Sequence, residues 1–164
     1  MTRKMMLSAA VAMLMLPAMA NAQSNTVTAT ATVGNYSALS GSGDLNFGTL
    51  DRNADNVIDP TTSLTQRTLD YNHDVTVTFG SVPSVLTATG LTDLPVTLNC
   101  AARIGAGAWN VAACNVASFD LAVGAALTTG TLGFGGTITS GAVAGAAAGT
   151  YSGTMTILVA PTGT

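Results

Sequence analysis

The sequence predicts an all-β domain, an antiparallel sandwich or barrel, and three observations predict it. Short runs in which apolar and polar residues alternate recur along the chain. Clusters of Gly, Asn, Asp and Pro separate them. No stretch carries a persuasive helical stripe. Successive side chains of a strand point to opposite faces, so period-two alternation is the signature of a half-buried sheet. The 164 residues, 48% apolar and 8% charged, suit one domain with a real core and exclude a disordered chain.

A cleavable export signal is expected over residues 1–22. Arg3 and Lys4 give a positive start, 5–19 is an almost unbroken apolar run, and Ala20-Asn21-Ala22 supplies a small-x-small cleavage pattern. A membrane anchor fits less well, because the run is shorter than the roughly 20 residues a spanning helix needs. No Cys follows the expected cleavage site, so a lipid anchor is not expected. Cleavage leaves one domain over 23–164, with three Arg, no Lys and eight Asp. That balance offers no basic footprint for nucleic acid, and nothing in 23–164 is apolar for long enough to cross a membrane. The expected location is the periplasm, the cell surface or the medium.

The strands read as follows. Over 26–33, Val27, Ala29, Ala31 and Val33 face one way and the threonines the other. Leu45 and Phe47 suggest a short strand, and Val57-Ile58 another. Alternation is clear at 75–79, at 94–98 with Leu94, Val96 and Leu98 inward, at Phe119, Leu121 and Val123, and at Met155, Ile157 and Val159. Leu132, Phe134 and Ile138 mark a strand expected to be interrupted by Gly135-Gly136. Turns are expected at 41–43, 53–56, 59–60, 105–107 and 145–149. The alanines of 142–148 favour helix, but Gly141, Gly145 and Gly149 divide them, so a loop is expected. The eight aromatics are spread along the chain, which suggests one core with distributed anchors in a thin, Ala- and Val-rich interior.

Chemistry is sparse. Cys100 and Cys114 are expected to form a disulfide, since an exported chain meets oxidising conditions and the spacing is not that of a C-x-x-C redox pair. Asp51, Asn53, Asp55 and Asp59 place oxygens at positions 1, 3, 5 and 9 of a calcium-type loop. Position 6 is Asn56 in place of Gly, and position 12 is Thr62 where a bidentate carboxylate belongs, so a solvated turn is the expectation. His73 lies among Asp70, Asn72 and Asp74 without a nameable catalytic partner. No G-x-S-x-G elbow occurs, the spacing of carboxylates cannot be read from sequence, and the glycines of 130–136 lack the Lys and helix of a phosphate loop. Asn35-Tyr36-Ser37 matches a glycosylation sequon, a pattern common by chance. No catalytic residue, metal ligand or cofactor site is therefore assigned.

Both ends of the domain carry a resemblance. The alternating 28–33 followed by Asp44-Leu45-Asn46-Phe47-Gly48-Thr49 resembles the strand and D-L-x-F-G-T opening of a bacterial family of secreted domains of unknown function. Val57 to Thr62 is similar to its next strand and turn. Gly135-Gly136-Thr137-Ile138-Thr139 and Ala148-Gly149-Thr150-Tyr151-Ser152-Gly153-Thr154-Met155-Thr156-Ile157 resemble its G-G-T-L-T and A-G-x-Y-x-G-T close. The resemblance covers about half of the domain and leaves out both cysteines. That family is similar to the spore-coat-U and fimbrial-subunit families, which implies an exported immunoglobulin-like sandwich with a structural, pilin-like role and no enzymatic activity. It also implies assembly by strand addition, with residues 23–33 as a donor strand or as the domain's own first strand. Pilins of the chaperone-dependent type end in a strand with a penultimate aromatic, whereas this chain ends Ala160-Pro161-Thr162-Gly163-Thr164. The alternative expectation is a binding module for glycan or calcium at the loop end of the sandwich.

Overall fold

Alternation decides most of the pairing. The computed structural model describes residues 30–62 and 65–162. Among these, the elements in order are β1 (Ser37–Ser40), β2 (Asn56–Ile58), β3 (Arg67–Tyr71), β4 (Val75–Gly80), β5 (Val85–Leu86), β6 (Leu94–Pro95), β7 (Thr97–Ile104), β8 (Asn110–Ala113), β9 (Ser118–Leu121), β10 (Thr128–Ile138), α1 (Ser140–Gly145) and β11 (Thr156–Pro161). The larger sheet runs β1-β3-β10-β7-β8, with β2 also on β10. The second runs β11-β4-β9, and β5 and β6 form a separate ribbon. Every pairing between these strands is antiparallel. The two larger sheets pack face to face, so the molecule is an all-β sandwich.

The long strand β10 organises the larger sheet. Residues 130–137 pair with β7 along one side. A strand has two hydrogen-bonding edges, so β3, on residues 128–132, and β2, on residues 136–138, share the other. The expected interruption at Gly135-Gly136 does not occur, and the strand runs through both glycines. The reason lies on its outer face. Leu132 and Phe134 point into the core, so Gly133 and Gly135 point away from it. There the chain leaving β2 lies directly on the sheet. A Cβ on Gly133 would overlap the Pro60 carbonyl oxygen, and one on Gly135 the Ile58 carbonyl oxygen. Here glycine marks a close backbone approach within a strand.

The interior divides into two clusters, where the scattered aromatics suggest one. The main cluster fills the space between the sheets. Leu69, Tyr71, Cys100, Ala102, Leu132 and Phe134 come from the larger sheet, and Val75, Val77, Phe119 and Leu121 from the smaller. Phe79 meets Phe119 and Phe134 edge to face, with ring centroids 5.9 and 6.0 Å apart. Cys100 and Cys114 form the disulfide inside this cluster. A cross-link closing a loop of this size stabilises by about 3 kcal/mol in the chain-entropy model. The second cluster, Leu94, Val96, Ile138 and Val143, lies under the far half of β10, with Phe47, Leu50 and Tyr151 packed against it. Leu98 touches both.

Two local expectations are corrected. Leu45 and Phe47 form no strand; Phe47 instead anchors an irregular segment to the second cluster. The alanine-rich stretch opens with a helix, α1, and not a loop. Thr139 caps it by accepting the Ala142 N–H at 3.3 Å, and burial of Val143 outweighs the cost of Gly141 and Gly145. Of the alternating run 26–33, residues 26–29 lie outside the described residues, as does the expected export signal. Thr30 to Val33 are exposed and belong to no strand.

Candidate functional site

The arm from Thr30 to Tyr36 has strand-like sequence over 30–33 and, among the described residues, belongs to no strand. Val33 is 84% exposed. Where the arm meets the sandwich it is held by one side chain. Asn72, in the turn between β3 and β4, accepts the Tyr36 N–H on Oδ1 at 2.7 Å and donates from Nδ2 to the Gly34 carbonyl at 3.0 Å. Its own N–H donates to the Tyr36 carbonyl at 3.1 Å. These bonds fix where the arm leaves the domain, one position before β1 begins.

The free strand edges are the second feature. Strands β1 and β8 border the larger sheet, and β9 and β11 the smaller. An edge presents unpaired backbone donors and acceptors, and lysine is a common guard against unwanted pairing. The sequence has no Lys after Lys4. On β11, the inward Ile157 and Val159 are only half-buried, although they pack against the main cluster. Leu39 of β1 pairs with the fully buried Leu69 yet is 40% exposed. The core thins towards these two edges.

The polar candidates resolve into structural roles. Asp51 Oδ1 accepts the Asn53 N–H at 2.8 Å, and Asn56 Oδ1 accepts the Asp51 N–H at 2.7 Å. Asn56 also donates to the carbonyls of Asp51 and Ala54. Asp55 accepts the Ser140 N–H at the start of α1, while Arg52 donates to the Ala146 carbonyl at its end. The calcium-like turn is thus a bracket that grips both ends of the helix. Asp59 Oδ1 accepts both the hydroxyl and the N–H of Thr61 at 2.7 Å, and these bonds hold its carboxyl below the ordinary value. Among the described residues no three His, Cys, Asp or Glu side chains converge as a metal site would require.

His73 does not pair with a neighbouring carboxylate. Its Nδ1 lies 3.1 Å from Asn72 Oδ1, whereas Asp74 turns its Oδ1 to the Val123 N–H at 2.7 Å. Asp70 and Asp120 accept the hydroxyls of Thr129 and Thr76 across neighbouring strands. An open groove of about 250 Å³ lies between the β7–β8 hairpin and β9, with Ala102, Phe119 and Leu121 as apolar lining and Arg103, Asn110 and Asp120 as polar side chains. The Arg103 guanidinium stacks 4.4 Å from the centre of the Trp109 ring. Asp120 is the carboxylate among the groove's lining residues.

The cysteine pair expected from sequence forms the disulfide. The Asn72 clamp has partners up to 38 residues away in sequence, and nothing local to Asn72 signals it beyond a turn-forming residue. No family model matches the chain, and neither a curated protein nor a solved structure matches it significantly.

Proposed function

We propose that the protein is an exported structural component, without enzymatic activity, that assembles with copies of itself or with a protein partner by β-strand pairing. The observation that carries this reading is the arm. Its alternating Thr and small apolar residues suit strand addition, and among the described residues Thr30 to Val33 belong to no strand. Unguarded edges with half-buried apolar residues supply the complementary feature. The disulfide fits an oxidising compartment, and the resemblance of both ends to secreted and pilin-like sandwiches points the same way. The calcium reading loses support, because the oxygens of the 51–59 turn already serve backbone donors and the helix bracket.

Removal of residues 23–33 tests the reading. The protein with its arm is expected to associate with rising concentration in sedimentation. The shortened protein is expected to stay monomeric with an unchanged melting temperature, and added peptide of sequence 23–33 should compete with association. A protein that remains monomeric at high concentration, with its arm resistant to proteases, sinks the proposal.

A further inference from the structure

One end of the sandwich carries two small uncharged loops. The tip between β7 and β8 reads Ile104-Gly105-Ala106-Gly107-Ala108, and the chain entering β10 reads Gly124-Ala125-Ala126-Leu127. Folding sets them side by side, since Gly105 donates its N–H to the Thr129 carbonyl at 2.9 Å and Ile104 pairs with Gly130. Glycine leaves its backbone open to close approach by another surface, and alanine adds little to it. From this small-residue ground Leu127 protrudes, 61% exposed. The groove beside β9 reaches the same end, where Ile104, Gly107 and Ala108 line it. Its apolar floor of Ala102, Phe119 and Leu121 is part of the main cluster. Leu127 is not among its lining residues. A knob and a hole thus lie within one patch, and the hole, at about 250 Å³, has room for a leucine side chain.

We propose that two copies of the chain pair through this end about a two-fold axis, with Leu127 of each copy seated in the groove of the other. A two-fold contact needs both halves of every interaction on one surface, and this patch holds both. Charge selects a second copy as the occupant. Residues 23–164 carry eight Asp against three Arg, so copies repel over most of their surface. Here the loops are uncharged, and the groove carries one charge of each sign, Arg103 and Asp120. Arg103 of one copy can therefore face Asp120 of the next, which fixes register and steers encounter more than it adds affinity. A buried apolar anchor inside a polar rim is the usual anatomy of such an interface. The pairing goes beyond the strand-addition reading and does not require it. The arm leaves by the Asn72 clamp on the β3 side, whereas the groove lies by β8, at the other border of the larger sheet.

Sedimentation equilibrium tests the pairing, with excess peptide of sequence 23–33 in every sample so that association through the arm is competed away. The unaltered protein is expected to show a monomer–dimer equilibrium at concentrations up to about 1 mM, the range of a small interface. Leu127→Asp sets a charge against the apolar floor and should weaken dimerisation by at least about tenfold. Leu127→Met keeps volume and apolarity and should stay within about threefold of the unaltered protein. Val116, 76% exposed, lies in the turn after β8 at the opposite end of the sandwich. Val116→Asp adds the same charge there and should change nothing. All three positions changed are exposed, so melting temperatures should match. A protein that stays monomeric to about 1 mM with the peptide present overturns the proposal. So does equal dimerisation by Leu127→Asp, or an equal loss in Val116→Asp. Association that appears only without the peptide supports the arm and refutes the loop-end pair.

Discussion

The two apolar clusters are built by different means. In the main cluster two sheets supply rows of inward side chains at period two, and the Phe79, Phe119 and Phe134 rings and the disulfide tie the rows together. In the second, one strand of the larger sheet is covered by the β5–β6 ribbon, a six-residue helix and an irregular segment carrying Phe47 and Leu50. Their covering elements have few backbone bonds to the sheet and hold through side chains and the Asp51–Asn56 bracket. Cooperative stability is expected where strand pairing and apolar burial coincide. The second cluster is expected to open at lower free energy than the main one.

Truncation separates the two most sharply. Phe119 is buried and contacts Phe79 edge to face, so Phe119→Ala is expected to lower stability by about 4 kcal/mol, read as a fall in the urea midpoint of the whole domain. The close approach at β10 comes next. Gly133→Ala drives a methyl group into the Pro60 carbonyl, and backbone cannot yield as a side chain does. A loss of up to about 3 kcal/mol is expected, with faster amide exchange in β2 and β10. Val143→Ala removes two buried carbons from the second cluster, worth about 1.5 kcal/mol. Exchange should quicken in α1 and leave the Leu69 amide unchanged. If Val143→Ala instead lowers the protection of Leu69 as much as Phe119→Ala does, the clusters are one cooperative unit.

The same contrast explains what could be read in the sequence. Strands β4, β9 and β11 carry clear alternation because one face of each packs on the main cluster and the other meets solvent. Strand β8 gave no such signal, since Ala112 and Ala113 look alike on either face. β10 seemed broken because its glycines answer to the Ile58–Pro60 crossing, a contact some 75 residues distant that no local pattern encodes. Around the second cluster, local cues misled: Phe47 mimics a strand residue while anchoring a loop, and the glycines of α1 hide a helix fixed by Thr139 and Val143. At the candidate site the alternation of 26–33 is intrinsic to the sequence, and residues 30–33 of it belong to no strand. The clamp was not legible, because Asn72 acts only through groups brought to it by folding.

The smallest expected effect tests the rim of the main cluster. The Tyr71 ring is buried among core residues while its hydroxyl donates to the Ala122 carbonyl at 3.3 Å. Burial, and then the negative charge of Asp74, hold its phenol above the ordinary value. The folded state therefore keeps the proton longer than the unfolded chain does. Below about pH 10 both states are protonated and the stabilising contribution is fully present. As pH rises further, the unfolded phenol ionises first, so the native state binds more protons and stability falls with pH. Tyr71→Phe removes this dependence together with one hydrogen bond. At pH 8 the variant is expected to be less stable by up to about 1 kcal/mol. Between pH 9 and 11 the gap in urea midpoint between the two proteins should narrow, because only the unaltered protein loses this contribution. A gap that stays constant to pH 11 would mean that the hydroxyl is open to water and that the main cluster ends one residue short of Tyr71.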